Sequence, residues 1–332
     1  MAARSLLSRA ATRARYELLR VPYYLGPALS SSRMTMTRIQ KQCRFGPFRG
    51  EFGHLLGHVL PFVTYLHSQG VEVDFCGLEI HQPFFVDSSG KSLVRSYEPL
   101  RDFFEEVTPT ANDSVEPPDV KKVCDAFTSL AKRSWIPYWD ISNQDYYFNH
   151  FRWWILKRGF MKATDLTPVY KTRSENSCVL FPRLKSTGSL ENNGEIWDYD
   201  QVIECLTPFF ETVYVVGHPA FSAPVVPRPG VEICLTSDNR VILEKCCNSR
   251  LIITPHSGTT YLGDYTDTPV LIIYQHKGSR KIGNFEPTRL TKDGLQGRHP
   301  FRFAFTLQEI SEQIASLPHT ALPTRTQPLH FQ

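Results

Sequence analysis

Between residues 178 and 274 the chain repeats one device. A run of four to six apolar residues passes into a loop of small and polar residues, and amphipathic stretches stand between the runs. CVLF, TVYVVG, LIIT and VLIIY are the runs, and VEICL, which Glu232 interrupts, is a further strand candidate. Segments this short and this continuously apolar fit strands buried on both faces, and a sheet buries both faces when it is parallel and covered by its own crossover helices. The stretches 198–210 and 239–248 carry apolar residues at helical spacing, with Asp198 placed as an N-cap. The expected class is α/β.

The first half follows the same order. Residues 38–49 read as a strand ending in a glycine-bearing loop, 53–68 as a helix stopped by Gly70, and 71–76 as a strand, with 84–87 as a further one. Helices are expected at 119–133 and 145–158, a loop at 108–119 and a linker within 160–176. A chain of 332 residues is long enough for two domains. The expected division is a basic extension over 1–37, a Rossmann-like unit over 38–170, a second over 171–305, and a helix with a tail over 306–332.

Charge is unevenly spread. Residues 1–50 hold ten cations against Glu17 alone, which is +9, and the other 27 cations and 32 acids leave −5 on the remainder. A mildly acidic body argues against nucleic acid as its ligand. The basic start, MAARSLLSRAATRARYELLRVPYYLG, fits a peripheral contact with anionic lipid through residues 1–25, or a mitochondrial or plastid transit peptide. With no long apolar span and no secretory core, the expected location is cytoplasmic, with or without membrane association. The eight cysteines form no C-x-x-C pair and mostly sit in apolar runs, so neither a zinc site nor a disulfide framework is expected.

In parallel sheets, ligands bind at the carboxyl ends of the strands, so chemistry is sought just after each run. Phe181-Pro182 leads to Arg183 and Lys185, a planar fork and a point charge suited to phosphate or to an ordinary surface. His218 follows Gly217. After LIIT come Ser257, Gly258, Thr259 and Thr260, whose N–H groups and hydroxyls stand where a helix begins, as anion sites require. Near the amino end, GPFRGEFGH offers Glu51 and His54 as general bases on a loop whose glycine spacing is not that of a dinucleotide site. The pair Asp198 and Asp200 has the D-x-D form but opens a helix, where acids suit the dipole. There is no P-loop and no nucleophile elbow.

The succession VLFPRLK, EIWDYDQVIECLTPFFETVYVVGHP and NRVILEKCCNSRLIITPHSGTTYLGDYTDTPVLIIY resembles the nucleotide-sugar domain of GT-B glycosyltransferases of heptosyltransferase or fucosyltransferase type, over about residues 178–290. The resemblance implies two Rossmann-like domains facing a central cleft, with donor held by the second and acceptor by the first. It implies that Arg183 and Lys185 neutralise the diphosphate, that Ser257, Gly258, Thr259 and Thr260 hold its oxygens, and that His218 lies near the nucleotide. The loop with Glu51 would border a glycan, protein or lipid-linked acceptor. Transfer of a hexosyl or pentosyl group would need no metal and no cofactor beyond the nucleotide sugar. His256 departs from the pattern, which has an acid there. An NAD(P)-dependent oxidoreductase and a non-catalytic sugar-binding protein are the alternative readings.

Overall fold

The computed structural model describes residues 30–50, 52–106, 117–142, 163–184, 197–255, 257–274 and 301–317. Helix α1 covers residues 30–40 and buries Ser30, Met34 and Thr37, one stripe at helical spacing. The expected boundary at residue 37 thus falls inside a helix that belongs to the first unit. Strand β1 (Gln42–Phe48) follows. Helix α2 then runs through Phe52–His54, a π-helical Leu55–Val59 and Leu60–Ser68. Strand β2 is Glu72–Leu78 and β3 is Ser96–Leu100. Helix α3 spans Pro118–Arg133 and β4 is Tyr138–Trp139. The sheet order is β3-β2-β1-β4, with every pairing parallel.

Residues 84–87 do not form the expected strand. A 3-10 helix occupies Glu79–Phe84, and Val86 makes only an isolated bridge to Ser92. The strand beside β2 is instead β3, which contains Pro99. Proline supplies no ladder donor, and β3 is the edge strand, where that loss is tolerated. At the other side, Trp139 packs edge-on against Phe62 and donates from its indole to the Thr37 hydroxyl (3.2 Å). Phe45, Phe62 and Phe75 complete this core.

The second unit contains the short helix α4 (Thr167–Tyr170), β5 (Ser177–Leu180), α5 (Tyr199–Leu206), β6 (Thr212–Gly217), β7 (Val231–Leu235), α6 (Asn239–Asn248) and β8 (Leu251–Pro255). Helix α7 begins as a 3-10 turn, Gly258–Tyr261, and continues through Leu262–Thr266. Strands β9 (Val270–Ile273) and β10 (Arg302–Ala304) and helix α8 (Leu307–Ala315) complete it. The sheet order is β10-β9-β8-β5-β6-β7, again all parallel. The fold is α/β, two parallel sheets with interleaved helices, as the runs require.

Alternation decides what each face buries. Cys178 and Leu180 of β5 enter a core closed by Tyr199, Val202 and Ile203 of α5 and by Ile310 and Ile314 of α8. Helix α8, within the helix and tail expected over 306–332, covers the second sheet. Its cap explains its start: Thr306 accepts from the Glu309 N–H, and Glu309 accepts from the Phe305 N–H. Val179 and Ile252 point the other way, into a core that also holds Phe45, Leu55 and Phe62 of the first unit. One apolar cluster therefore runs through both units. The described thiols of Cys178 and Cys246 are pushed up by burial and act as small hydrophobes. Among the described residues no helix is long and apolar enough to cross a membrane.

Candidate functional site

The two units meet through the loops that follow their strands. Gly53, after β1, touches Gly258, after β8. Ile80, after β2, gives its carbonyl to the Asn239 amide of α6 (2.5 Å), just after β7. Asp102, after β3, faces His218, after β6, at 2.7 Å. The carboxyl edges of both sheets are thereby turned toward each other.

The two helix starts meet backbone to backbone. A Cβ placed on Gly258 would lie 2.3 Å from the Gly53 nitrogen, and one on Gly57 would lie 2.8 Å from the Tyr261 ring. Only glycine lets the first turns of α2 and α7 come this near. The π-helical stretch of α2 keeps the contact: the Leu60 N–H bonds to the Leu55 carbonyl, and the Leu56 carbonyl accepts from the buried Tyr265 hydroxyl of α7 (2.6 Å). Such insertions release a carbonyl from the regular ladder. Each helix start carries unsatisfied N–H groups and the positive end of a dipole, equivalent to about half a charge.

Hydroxyls crowd the start of α7. Ser257 and Thr259 are 2.6 Å apart, and Thr259 is 2.5 Å from the buried Thr254 hydroxyl, which also reaches the Pro255 carbonyl (2.9 Å). Thr260 turns inward, where its hydroxyl accepts from the Ser257 N–H at 3.3 Å. Ser257, Gly258 and Thr259 remain half-buried while Thr260 is buried, so the four predicted residues split into three at the edge and one that holds the turn.

Arg183 is half-buried after β5. Its carbonyl accepts from Tyr199 (3.0 Å), and it bridges to Ser222. Because β8, β5 and β6 are neighbours, the Ser257 turn, Arg183 and His218 stand at three adjacent strand ends. His54 lies in the first turn of α2 with its ring edge-on to His58 at 6.0 Å. Glu51, Lys185 and His256 lie outside the described residues, as does the expected helix at 145–158.

His218 is held on both ring nitrogens. The Ala220 N–H donates to Nδ1 (3.1 Å), which places the ring proton on Nε2, aimed at Asp102. Phe104 and Phe221 pack on the ring at 5.8 and 5.2 Å. Burial raises the Asp102 carboxyl, but the His218 bond and the Phe104 N–H outweigh it, and the group is held below its ordinary value. Close by, His81 is buried between the Phe48 and Phe52 rings, and burial lowers it to about 3, so it is neutral. Its Nδ1 is buried without a hydrogen-bond partner.

Asp102, His81, Thr254 and Gly57 were not singled out from sequence. Asp102 follows a strand concealed by Pro99, and His81 sits in a turn whose neighbours are aromatic. Gly53 carried a signal: Gly53 and Gly57 have the G-x-x-x-G spacing that places both on one helix face. Among the described residues, no group of three or more His, Cys, Asp and Glu is arranged to hold a metal ion.

No family model matches the chain, and no curated protein matches its sequence. Among solved structures it is similar to E. coli heptosyltransferase WaaC with ADP, at 12% identity and a TM-score of 0.49, over 82% of this chain and 99% of that one. A glycosyl transferase of family 9 from Veillonella parvula matches at 9% identity and a TM-score of 0.44, over 83% of this chain and 89% of that one. The dodecameric iron-containing heptosyltransferase TibC in complex with ADP-D-beta-D-heptose matches at 13% identity and a TM-score of 0.43, over 70% and 57%.

Proposed function

We propose that the chain is a glycosyltransferase that moves a sugar from a nucleoside-diphosphate sugar to a hydroxyl acceptor, with the diphosphate lodged where α2 and α7 begin. One observation carries this reading: the starts of two helices abut at Gly53 and Gly258, at the carboxyl edges of both sheets. Two positive dipole ends repel, and an anion placed beside both would remove the repulsion. A diphosphate is an anion of the kind that helix starts bind.

The chemistry then follows from the residues around it. As the sugar departs, negative charge grows on the diphosphate. The N–H groups of Gly258 and Thr259, the hydroxyls of Ser257 and Thr259, and the cations Arg183 and Lys185 would stabilise that charge through preorganised electrostatics, without a metal. The acceptor hydroxyl must lose a proton, and Glu51, one residue before α2, is assigned as the base. His54, within the first turn of α2, is the second candidate. His218 would meet the nucleotide with its ring alone, since both nitrogens are engaged. The second unit would hold the donor and the first the acceptor.

Binding tests this directly. A nucleoside diphosphate should bind the protein, and Gly258→Ala should abolish that binding by forcing the two helix starts apart. A variant that binds as the parent does would remove the diphosphate from this place.

A further inference from the structure

The face opposite the site has its own chemistry. Helix α1 ends, and β4 begins, at the amino edge of the first sheet, away from the loops that meet the second unit. There Trp135 is 97% exposed, Ile39 69% and Met36 45%. Met36 and Ile39 are three residues apart on one face of α1, and the Gln40 amide bonds the Trp135 carbonyl at 3.1 Å, which ties the two segments together. Leu130, near the end of α3, is 57% exposed.

These apolar groups are set among cations. Arg38, Lys41, Lys132 and Arg133 are all exposed. Residues 30–50 contain no acid, nor do residues 126–139. The chain leading into α1 adds Arg4, Arg9, Arg13, Arg15 and Arg20 against Glu17. An exposed tryptophan and aliphatic side chains ringed by Lys and Arg match the layered structure of a bilayer surface. The indole and aliphatics suit the headgroup boundary, and the cations suit anionic phosphates. At the same edge Glu72, whose N–H bonds the Lys41 carbonyl, is paired with Arg95 at 3.0 Å, so the excess charge stays positive, and a partner recognised by apolar contact alone would not use it.

We infer that this face, Met36, Ile39 and Trp135 with Lys132 and Arg133, docks on an anionic lipid surface, with the proposed site on the opposite edge of the sheet. The docked chain is anchored by one side and keeps the junction of α2 and α7 away from the lipid.

The full chain is tested by sedimentation with phosphatidylcholine vesicles, with and without phosphatidylserine. Binding is expected only with phosphatidylserine. Trp135→Ala should weaken it about tenfold, and joint Lys132→Gln and Arg133→Gln about thirtyfold. Salt should weaken the parent more than the doubly substituted protein. Near-UV circular dichroism establishes that each variant is folded; should Trp135→Ala not fold, Ile39→Ser and the double variant decide. Equal binding by folded variants would place any lipid contact elsewhere and overturn the inference. So would absence of vesicle binding together with self-association that Trp135→Ala abolishes, which would make a second copy the occupant.

Discussion

Gly53 and Gly258 meet backbone to backbone where the two units join, so closely that a Cβ on Gly258 would sit 2.8 Å from the Gly53 Cα. Gly258→Ala must therefore displace one helix start. Overpacking of this kind costs about 1–3 kcal/mol. The variant should melt a few degrees lower and lose nucleotide affinity by far more than that stability loss accounts for. Calorimetric melting and titration, run on the same preparation, separate the two effects.

Asp102 and His218 form a tie between the units, and its pH dependence has a definite sign. The native carboxyl is held below its ordinary value, so the tie's stabilisation is present above the unfolded pKa of about 3.9 and is lost as pH falls through the native value. Asp102→Asn and His218→Gln, singly and together, should show a coupling of about 0.5–3 kcal/mol in denaturant melts. Additive losses would mean that the two groups do not act as a pair.

His81 works in the other direction from an ion-paired histidine. Its native value lies near 3 against an ordinary 6.5, so between these values the unfolded chain takes up a proton that the native state refuses. Stability should therefore decline as pH falls from about 6.5 toward 3. His81→Phe should flatten that decline, seen by comparing denaturation midpoints at about pH 7 and about pH 4.5. An unchanged slope would show that His81 takes up its proton as readily in the native protein as in the unfolded chain.

Arg183→Ala should weaken donor binding about tenfold to a hundredfold, the range for one charge-assisted contact. Glu51→Gln should lower transfer at least about a hundredfold while binding of the nucleotide is retained. Steady-state rates beside direct titration check both. Full turnover in Glu51→Gln would pass the role of base to His54.

Much of the second unit was legible because its strands are buried on both faces. Val179 and Leu180 must both be apolar, since each enters a different core. The helix start at Ser257 was legible for a similar reason, since a parallel strand must hand over to a helix at its carboxyl end. What stayed hidden depends on partners far along the chain. Strand β3 carries Pro99 and is half-exposed, so its pattern does not read as a strand. The pairing of His218 with Asp102 spans 116 positions and leaves no local mark. The meeting of Gly53 with Gly258 is likewise a property of two units docking. His218 read as a ligand contact from its place after a strand, and only its neighbours reveal that both nitrogens are taken.

The most direct measurement is a thermal-shift panel of ADP, GDP, UDP and their sugar conjugates, with NAD and NADP alongside, on the parent and on Gly258→Ala. A ligand of the native state at about a hundred times its Kd adds about 2.7 kcal/mol. One nucleoside diphosphate and its sugar should raise the melting temperature of the parent and not of Gly258→Ala. A panel in which no nucleoside diphosphate shifts the melt, or in which only NAD or NADP does, would contradict a nucleotide-sugar site between α2 and α7.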